Sequence, residues 1–317
     1  MPHRTILFAV TAALLAVGVA FGLSEGAQKA GDPPVTRILT TYSPDVPAEA
    51  RVDFETAARI WERCLVTPAP IHIHLTWIPR GPTGFATMNG ARNQPHLPVA
   101  DVWYPTALSH ALAGTRLNPA DDMNIFLSAR TNWYYSSDAP IAEDETDFIN
   151  VAMHEIAHGL GISSASFVPW QGEPIGALGL PNEWVNYFDY TFETPELDGT
   201  PTLYDSFIRL ADGRTLRDFD NPSLELTYAL ANPTIHFEGT AARAANRGFP
   251  VGVTPLNISH IPAFPRAPNP IMLSDSGQGE SIHAPDAVLL GMLRDLGWEI
   301  AEACGNLGQA VVGRGGT

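Results

Sequence analysis

The feature that most constrains this chain is a pair of histidines four residues apart in the run VAMHEIAHGLGISS, residues 151–164. The pair belongs to the pattern H-E-x-x-H, formed by His154, Glu155 and His158. On a helix, residues i and i+4 lie one above the other on the same face, so both imidazoles can reach one cation. Glu155 is rotated by about 100° from His154, which suits contact with a metal-held water better than metal binding. The run therefore predicts a metal-binding helix with a carboxylate beside the metal.

The ligand types in this pattern favour zinc. Two neutral nitrogen ligands with an open position suit Zn²⁺, which lowers the pKa of its bound water to about 7. Glu155 would then act as the general base of a peptidase. The apolar residues within 148–153 predict a buried helix, and two histidines inside a buried helix need a reason. Gly159 and Gly161 are expected to end the helix, because glycine adopts the left-handed conformation at little cost.

The third metal ligand is not fixed by this run, although a catalytic zinc normally has three protein ligands. Residues further along the chain could supply it: Glu183, His236, His260 and His283. The residue pattern alone leaves this choice open. It also leaves open which kind of H-E-x-x-H metal hydrolase the chain would be.

A resemblance to a known family narrows the choice. HEIAHGLGISS matches the beginning of the metzincin zinc-peptidase signature, H-E-x-x-H-x-x-G-x-x-H, through His154, Glu155, His158 and Gly161. The last position of the signature is Ser164 here, and serine is a poor zinc ligand, so the short form is not met. The chain is more similar to the leishmanolysin-like branch, which keeps H-E-x-x-H-x-x-G and has a large insertion before the third histidine.

The segment ISHIPAFPRAPNPIMLSDSG resembles the region that follows such an insertion. The resemblance implies His260 as the third zinc ligand, and Met272 in a methionine turn as an apolar floor beneath the metal. Some metzincins have a tyrosine two residues after the methionine, but Ser274 stands here, so no tyrosine ligand is implied. PDAVLLGMLRDLGW resembles the closing helix of the fold, with Pro285 at its start and Gly297 at its end.

Periodicity elsewhere in the chain predicts the elements around the motif. Helical spacing predicts helices at 48–65 and 105–113, and apolar alternation or apolar runs predict strands at 71–78, 85–88, 123–129 and 133–135. This order indicates an α+β fold, with a twisted sheet packed on helices. His72 and His74 could form a two-histidine site, but we expect them to face solvent or a neighbouring strand. The acidic run at 142–147 should favour the motif helix N-terminus; its spacing does not support a calcium site.

The resemblance also implies a segment order for the metzincin-like fold, with an active-site helix, a C-terminal helix and an inserted subdomain. The predicted segments are a signal peptide at 1–27, an N-terminal catalytic subdomain at 33–164, an insertion at 165–255, a C-terminal catalytic subdomain with the methionine turn at 256–304, and a tail at 305–317.

The chain start and the cysteines indicate export. Arg4 gives a positive start and Ile6–Leu23 is apolar almost without interruption, which is typical of a secretory signal peptide. The apolar run is long, so an uncleaved membrane anchor is the alternative. Cys64 and Cys304 are expected to form one disulfide in an oxidising compartment, the alternative being two separate buried thiols.

The charge balance narrows the range of binding partners that we expect. Eighteen Lys and Arg residues against 34 Asp and Glu give a net charge of −16, which argues against nucleic acid or an anionic membrane. We expect a monomeric, secreted or periplasmic zinc endopeptidase that acts on an extended peptide or protein. Stable membrane association is expected only if the signal stays uncleaved. The alternative is a non-proteolytic secreted binding or adhesion protein on a similar scaffold, but an intact Glu155 favours the enzyme.

Overall fold

The computed structural model describes residues 36–136, 140–168, 175–179, 184–187, 190–193, 199–263, 270–274 and 277–306. All of them lie within the compact unit Pro34–Thr317. The predicted signal peptide at 1–27, the candidate ligand Glu183 and residues 307–317 of the predicted tail lie outside the described residues.

Helices and short strands alternate along the described part of the chain. The α-helices are α1 (Ala48–Cys64), α2 (Thr106–Ala113), α3 (Phe148–Gly159), α4 (Leu224–Leu230), α5 (Thr240–Ala245) and α6 (Ala287–Leu296). The strands are β1 (Ile38–Tyr42), β2 (Ile71–Ile78), β3 (Gly84–Met88), β4 (Gly90–Ala91), β5 (Tyr104–Pro105), β6 (Met123–Ser128), β7 (Trp133–Tyr134), β8 (Thr146–Asp147), β9 (Trp184–Tyr187), β10 (Tyr190–Glu193), β11 (Ile208–Arg209), β12 (His236–Phe237) and β13 (Val251–Gly252). The helices and strands predicted before the motif are therefore present, with ends that differ by one residue or none.

The largest sheet has four strands in the order β1-β2-β6-β3. β1, β2 and β6 are parallel, whereas β3 runs antiparallel to β6. β2 alternates as predicted through Leu75, with buried isoleucines and partly exposed histidines, but at its end Trp77 is partly exposed and Ile78 is buried. β3 pairs with β6 alone among the described strands, so its other edge keeps backbone groups that an extended chain could meet.

The motif helix α3 is buried along nearly its whole length. Asp147 caps its N-terminus by accepting a hydrogen bond from the Asn150 amide, which satisfies one of the free N–H groups of the first turn. α1 packs against α3, and the Trp61 indole N–H donates to the Met153 carbonyl. The amphipathic face of α1, which includes the fully buried Phe54, therefore supports the helix that carries the motif.

The two glycines after the motif have different roles, so the prediction for one of them was wrong. Gly161 has a φ of +121°, as expected for a glycine that turns the chain away from a helix. Gly159 is the last helical residue and has no positive φ. It lies so close to β6 that a Cβ would stand 2.1 Å from the Met123 sulfur. Gly159 is thus required for space, not for conformation.

The segment predicted to be an insertion, residues 165–255, packs on the C-terminal helix through α5. β11, β12 and β13 form a small antiparallel sheet, and α5 lies against α6. The Asp295 carboxylate accepts hydrogen bonds from the amides of Ala241 and Ala242, both at 2.8 Å, at the start of α5. Gly291 permits the close approach, since a Cβ there would lie 2.8 Å from the Ala241 carbonyl. Among the described residues, one hydrophobic core accordingly extends through the two predicted catalytic subdomains and the predicted insertion.

α6 begins one residue later than the proline suggested. Asp286, not Pro285, is the N-cap, and its carboxylate accepts hydrogen bonds from the amides of Val288 and Leu289. Gly297 ends the helix in the left-handed conformation with a φ of +110°, as predicted.

The predicted disulfide is confirmed. Cys64 and Cys304 are joined with an S–S distance of 2.03 Å, which excludes two separate thiols. The bond ties the end of α1 to a short 3₁₀ turn at Glu302–Asn306, next to a bridge between Leu65 and Ile300.

The helices and sheets of the described chain together make an α+β protein. No described helix combines the length and the apolar character needed to cross a membrane.

Candidate metal centre

Three histidine rings converge at the C-terminal half of α3. One ring nitrogen each from His154, His158 and His260 lies within 4.8 Å of the other two. The Nε2 atoms of His154 and His158 are 3.0 Å apart, and those of His158 and His260 are 3.3 Å apart. Helical spacing brings the first two together, whereas His260 arrives on a loop that follows the inserted segment.

The hydrogen bonds of the rings fix which nitrogen faces the centre. Each Nδ1 meets an oxygen: His154 at the Ile271 carbonyl (2.7 Å), His158 at the Ile162 carbonyl (2.6 Å) and His260 at the Asn257 side-chain oxygen (2.8 Å). Because these oxygens can only accept, each Nδ1 must carry the proton. Each Nε2 therefore presents a lone pair to the other two.

This arrangement fits a cation. Three lone pairs at such distances repel one another unless a positive charge lies between them. In tetrahedral zinc sites the Zn–N distance is about 2.0–2.1 Å, which separates ligand nitrogens by about 3.3 Å. Burial lowers the pKa of His154, His158 and His260 to about 3, with a neighbouring histidine adding to the effect. The rings are thus neutral near pH 7, which is the form that binds metal.

The carboxylate of the motif lies beside this cluster without belonging to it. Glu155 is 4% exposed, and its Oε2 has no hydrogen-bond partner among the described residues. Burial raises the pKa of Glu155 to about 8, so it gains a proton far more readily than a carboxyl in water. Its Oε1 lies near β3, where a Cβ on Gly84 would stand only 2.7 Å away. A buried, unpartnered carboxylate beside neutral ligands is suited to proton transfer.

An open cavity of about 690 Å³ gives access to the three rings and to Glu155. Its walls come from the start of β3, from α3, from the loop that carries His260 and from the region around Ser274. Apart from the three histidines and Glu155, the described lining residues carry no ionisable side chain. Among the described lining residues Glu155 is thus the one acidic side chain, although the whole chain is strongly acidic, and the cavity is open enough to admit a stretch of polypeptide.

The segment around Met272 connects two of the three histidines. The Ile271 carbonyl accepts from the His154 ring, and the Met272 carbonyl accepts at 2.8 Å from the Ile261 amide, next to His260. Met272 itself is fully buried. The backbone of this turn thus holds both sides of the cluster, while the apolar floor implied for the methionine side chain stays a prediction.

The other candidate ligands lie outside the cluster. His236 is near Glu238, with its Nε2 3.5 Å from the carboxylate. The His283 Nε2 lies 2.9 Å from both carboxylate oxygens of Asp147, where it supports the α3 cap. Glu183 lies outside the described residues. Among the described candidates, His260 alone meets the two histidines of the helix.

The histidines of β2 are likewise separate from the centre. The His74 Nδ1 lies 2.8 Å from the Thr41 hydroxyl on the neighbouring strand β1. The His72 amide donates to the Asp122 carboxylate. The expectation that these residues face solvent or an adjacent strand is confirmed for His74.

Two contributors to the site were missed by sequence reasoning. Asn257 orients the His260 ring, and its spacing of three residues before the histidine is the local signal that could have indicated it. Gly84 makes room for Glu155 from a different element, and nothing near Gly84 in the sequence points to this contact.

The fold and the site together define an α+β protein with a partly buried three-histidine centre. A family model described as SPBPB7E8-like matches residues 102–173, which include the motif helix but cover less than a quarter of the chain. No curated protein and no solved structure matches the chain.

Proposed function

We propose that this protein is a secreted zinc-dependent endopeptidase similar to the leishmanolysin-like metzincins. One observation carries the proposal: three Nε2 lone pairs converge in an open cavity beside the buried Glu155, whose Oε2 has no hydrogen-bond partner among the described residues. A binding protein that holds zinc would need the histidine cluster but not a buried carboxyl group beside it.

His154, His158 and His260 would hold the metal, each oriented by the oxygen at its Nδ1. When bound there, zinc supplies a Lewis acid that activates water and polarises a carbonyl. Glu155 takes the proton of the attacking water and later delivers it to the leaving amine.

The substrate would lie extended along the edge of β3 that pairs with no described strand. Backbone hydrogen bonds to an edge strand give affinity for polypeptide with little dependence on sequence. Gly84 and Ala86 line the cavity on this strand and leave room for a chain beside Glu155.

The proposal is tested with two variants of the secreted protein. Glu155→Ala should keep one zinc per chain and lose about 10²–10⁴-fold in cleavage rate, because only the proton carrier is removed. His260→Ala should bind zinc much more weakly. Zinc content by elemental analysis and chelator-sensitive cleavage of casein are the measurements.

Ser164→Ala is the matched control for the third ligand, and it should still hold one zinc per chain at saturating zinc. A Ser164 variant that loses its zinc while His260→Ala retains it would contradict the ligand set. Zinc binding without casein cleavage by the wild type would favour the alternative, a non-proteolytic binding protein.

A further inference from the structure

Two adjacent buried residues of the inserted segment reach both chain regions that meet at the metal centre. Tyr204 is 1% exposed and Asp205 is 2% exposed, and Asp205 begins a 3₁₀ turn at Asp205–Phe207. The Asp205 carboxylate contacts the loop that leaves α3. The Tyr204 hydroxyl contacts the loop that carries His260.

Asp205 anchors the loop that follows the motif helix. Its Oδ1 accepts from the Ser164 hydroxyl at 2.5 Å, and its Oδ2 accepts from the Ala165 amide at 2.9 Å. The Thr202 amide also donates to Oδ2, at 2.9 Å. A buried carboxylate needs such bonds to offset its lost hydration, and charge-assisted bonds are the stronger kind. The loop after α3 is therefore fixed to the inserted segment.

The same loop holds the residue before the third histidine. The Ser164 amide donates to the Ser259 hydroxyl at 2.9 Å, and Ser259 directly precedes His260. Ser164 stands where the short metzincin signature would have its third histidine. Here it links Asp205 to the histidine loop without being a ligand itself.

Tyr204 makes a second contact with the loop that carries His260. Its hydroxyl donates to the Ile258 carbonyl at 2.6 Å, two residues before His260. The Tyr204 ring lies against Phe237, with ring centroids 5.4 Å apart, so the phenol has a fixed direction. Tyr204 and Asp205 thus approach the same loop by independent contacts.

The third histidine needs such support more than the first two. Helix α3 fixes the spacing of His154 and His158, but His260 lies 102 residues beyond His158 in the chain. A ligand on a free loop must be ordered when the metal binds, which weakens binding, whereas a loop already held in place avoids that loss.

We propose that Tyr204 and Asp205 are positioning residues that set the place of His260 in the metal centre, so that metal affinity depends on this turn. The inference rests on the proposed zinc site and adds that the inserted segment builds part of it. Outer-shell partners of metal ligands typically change affinity by about 10–100-fold, and we expect losses of that size here.

The test compares conservative variants with matched controls. Tyr204→Phe removes one hydroxyl and Asp205→Asn removes a charge with little change of shape. Each should weaken zinc binding about 10–100-fold in chelator competition at 25 °C. Tyr228→Phe, at an exposed tyrosine of the same segment, and Asp212→Asn, at an exposed aspartate, should bind zinc as the wild type does.

A double-mutant cycle separates positioning from general destabilisation. In a His260→Ala background the effect of Tyr204→Phe on zinc affinity should disappear, because the ligand that it positions is absent. An equal loss in both backgrounds, or wild-type affinity in Tyr204→Phe, would overturn the inference. Should Asp205→Asn fail to fold, Ser259→Ala tests the same connection, and wild-type affinity in that variant would equally count against it.

Failure of the inference is distinguishable from failure of the proposed function. If the wild type binds no zinc, or if His260→Ala binds it as tightly as the wild type, the proposed function is wrong. This inference is then wrong as well, because it rests on the zinc site. If His260→Ala weakens binding while the Tyr204 and Ser259 variants do not, only the positioning role is lost.

Discussion

At the scale of single residues, the absence of a side chain at Gly84 leaves the space that Glu155 occupies. Gly84 lies on β3 opposite Glu155, and a Cβ there would stand 2.7 Å from Glu155 Oε1 and 2.9 Å from Leu127 Cδ2. Leu127 is fully buried and cannot give way freely. The Glu155 carboxylate would therefore have to move. The three histidines would not, because Glu155 is not one of the clustered residues.

Gly84→Ala should thus lower the rate of peptide cleavage about 10²-fold while zinc affinity stays unchanged, since small displacements of a catalytic group have effects of that size. Steady-state cleavage rates and chelator competition measure the two quantities. Gly252→Ala is the matched control, because a Cβ at this strand glycine meets nothing closer than Pro262, at 3.9 Å. Full activity in Gly84→Ala would show that Glu155 tolerates the contact.

At the scale of elements, α3 depends on its close approach to β6. Alanine is favoured over glycine inside a helix by about 1 kcal/mol. At Gly159, however, a Cβ would stand 2.1 Å from the Met123 sulfur and 2.9 Å from the Met123 Cβ. Overpacking of a core costs about 1–3 kcal/mol, so the steric effect should exceed the gain in helix propensity.

Gly159→Ala should accordingly lower the free energy of unfolding by roughly 1–2 kcal/mol, measured by urea denaturation of the metal-free protein. It should also weaken zinc binding, because His158 precedes the shifted residue. In a Met123→Ala background the loss should be smaller, since the contacts with the sulfur and Cε are removed and only the one with Cβ, at 2.9 Å, remains. A loss of equal size in that background would mean that the contact with Met123 is not the cause.

At the scale of the whole molecule, the Cys64–Cys304 bond closes nearly the entire described chain. The two cysteines are 240 residues apart, and the bond joins the end of α1 to the last described turn. Because such a crosslink restricts the unfolded chain, a Cys64→Ser, Cys304→Ser double variant should lose about 2–5 kcal/mol in the free energy of unfolding.

Urea denaturation of this double variant, beside the oxidised and the reduced wild type, measures the effect. The reduced wild type should unfold like the double variant. If the double variant unfolds at the same urea concentration as the oxidised protein, chain restriction contributes nothing measurable.

The sequence by itself determined the features that follow from local periodicity, namely which side chains of one helix or strand share a face. Helical spacing fixed the shared face of His154 and His158, and strict alternation fixed β2, because side-chain direction follows from the backbone period alone. The presence of only two cysteines left one intramolecular pairing, and the structure contains it. His260 was reached by resemblance to a family, not by periodicity.

Only the tertiary structure decided which distant residues meet. Gly84 beside Glu155, Asn257 at the His260 ring and the Tyr204–Asp205 turn are all contacts whose geometry depends on packing between separate elements. Contacts between such separate elements produce no periodic pattern in the sequence, because the burial that favours them depends on the folded arrangement and not on sequence spacing. The sequence thus specified the chemistry of the centre, and the folded chain specified its geometry.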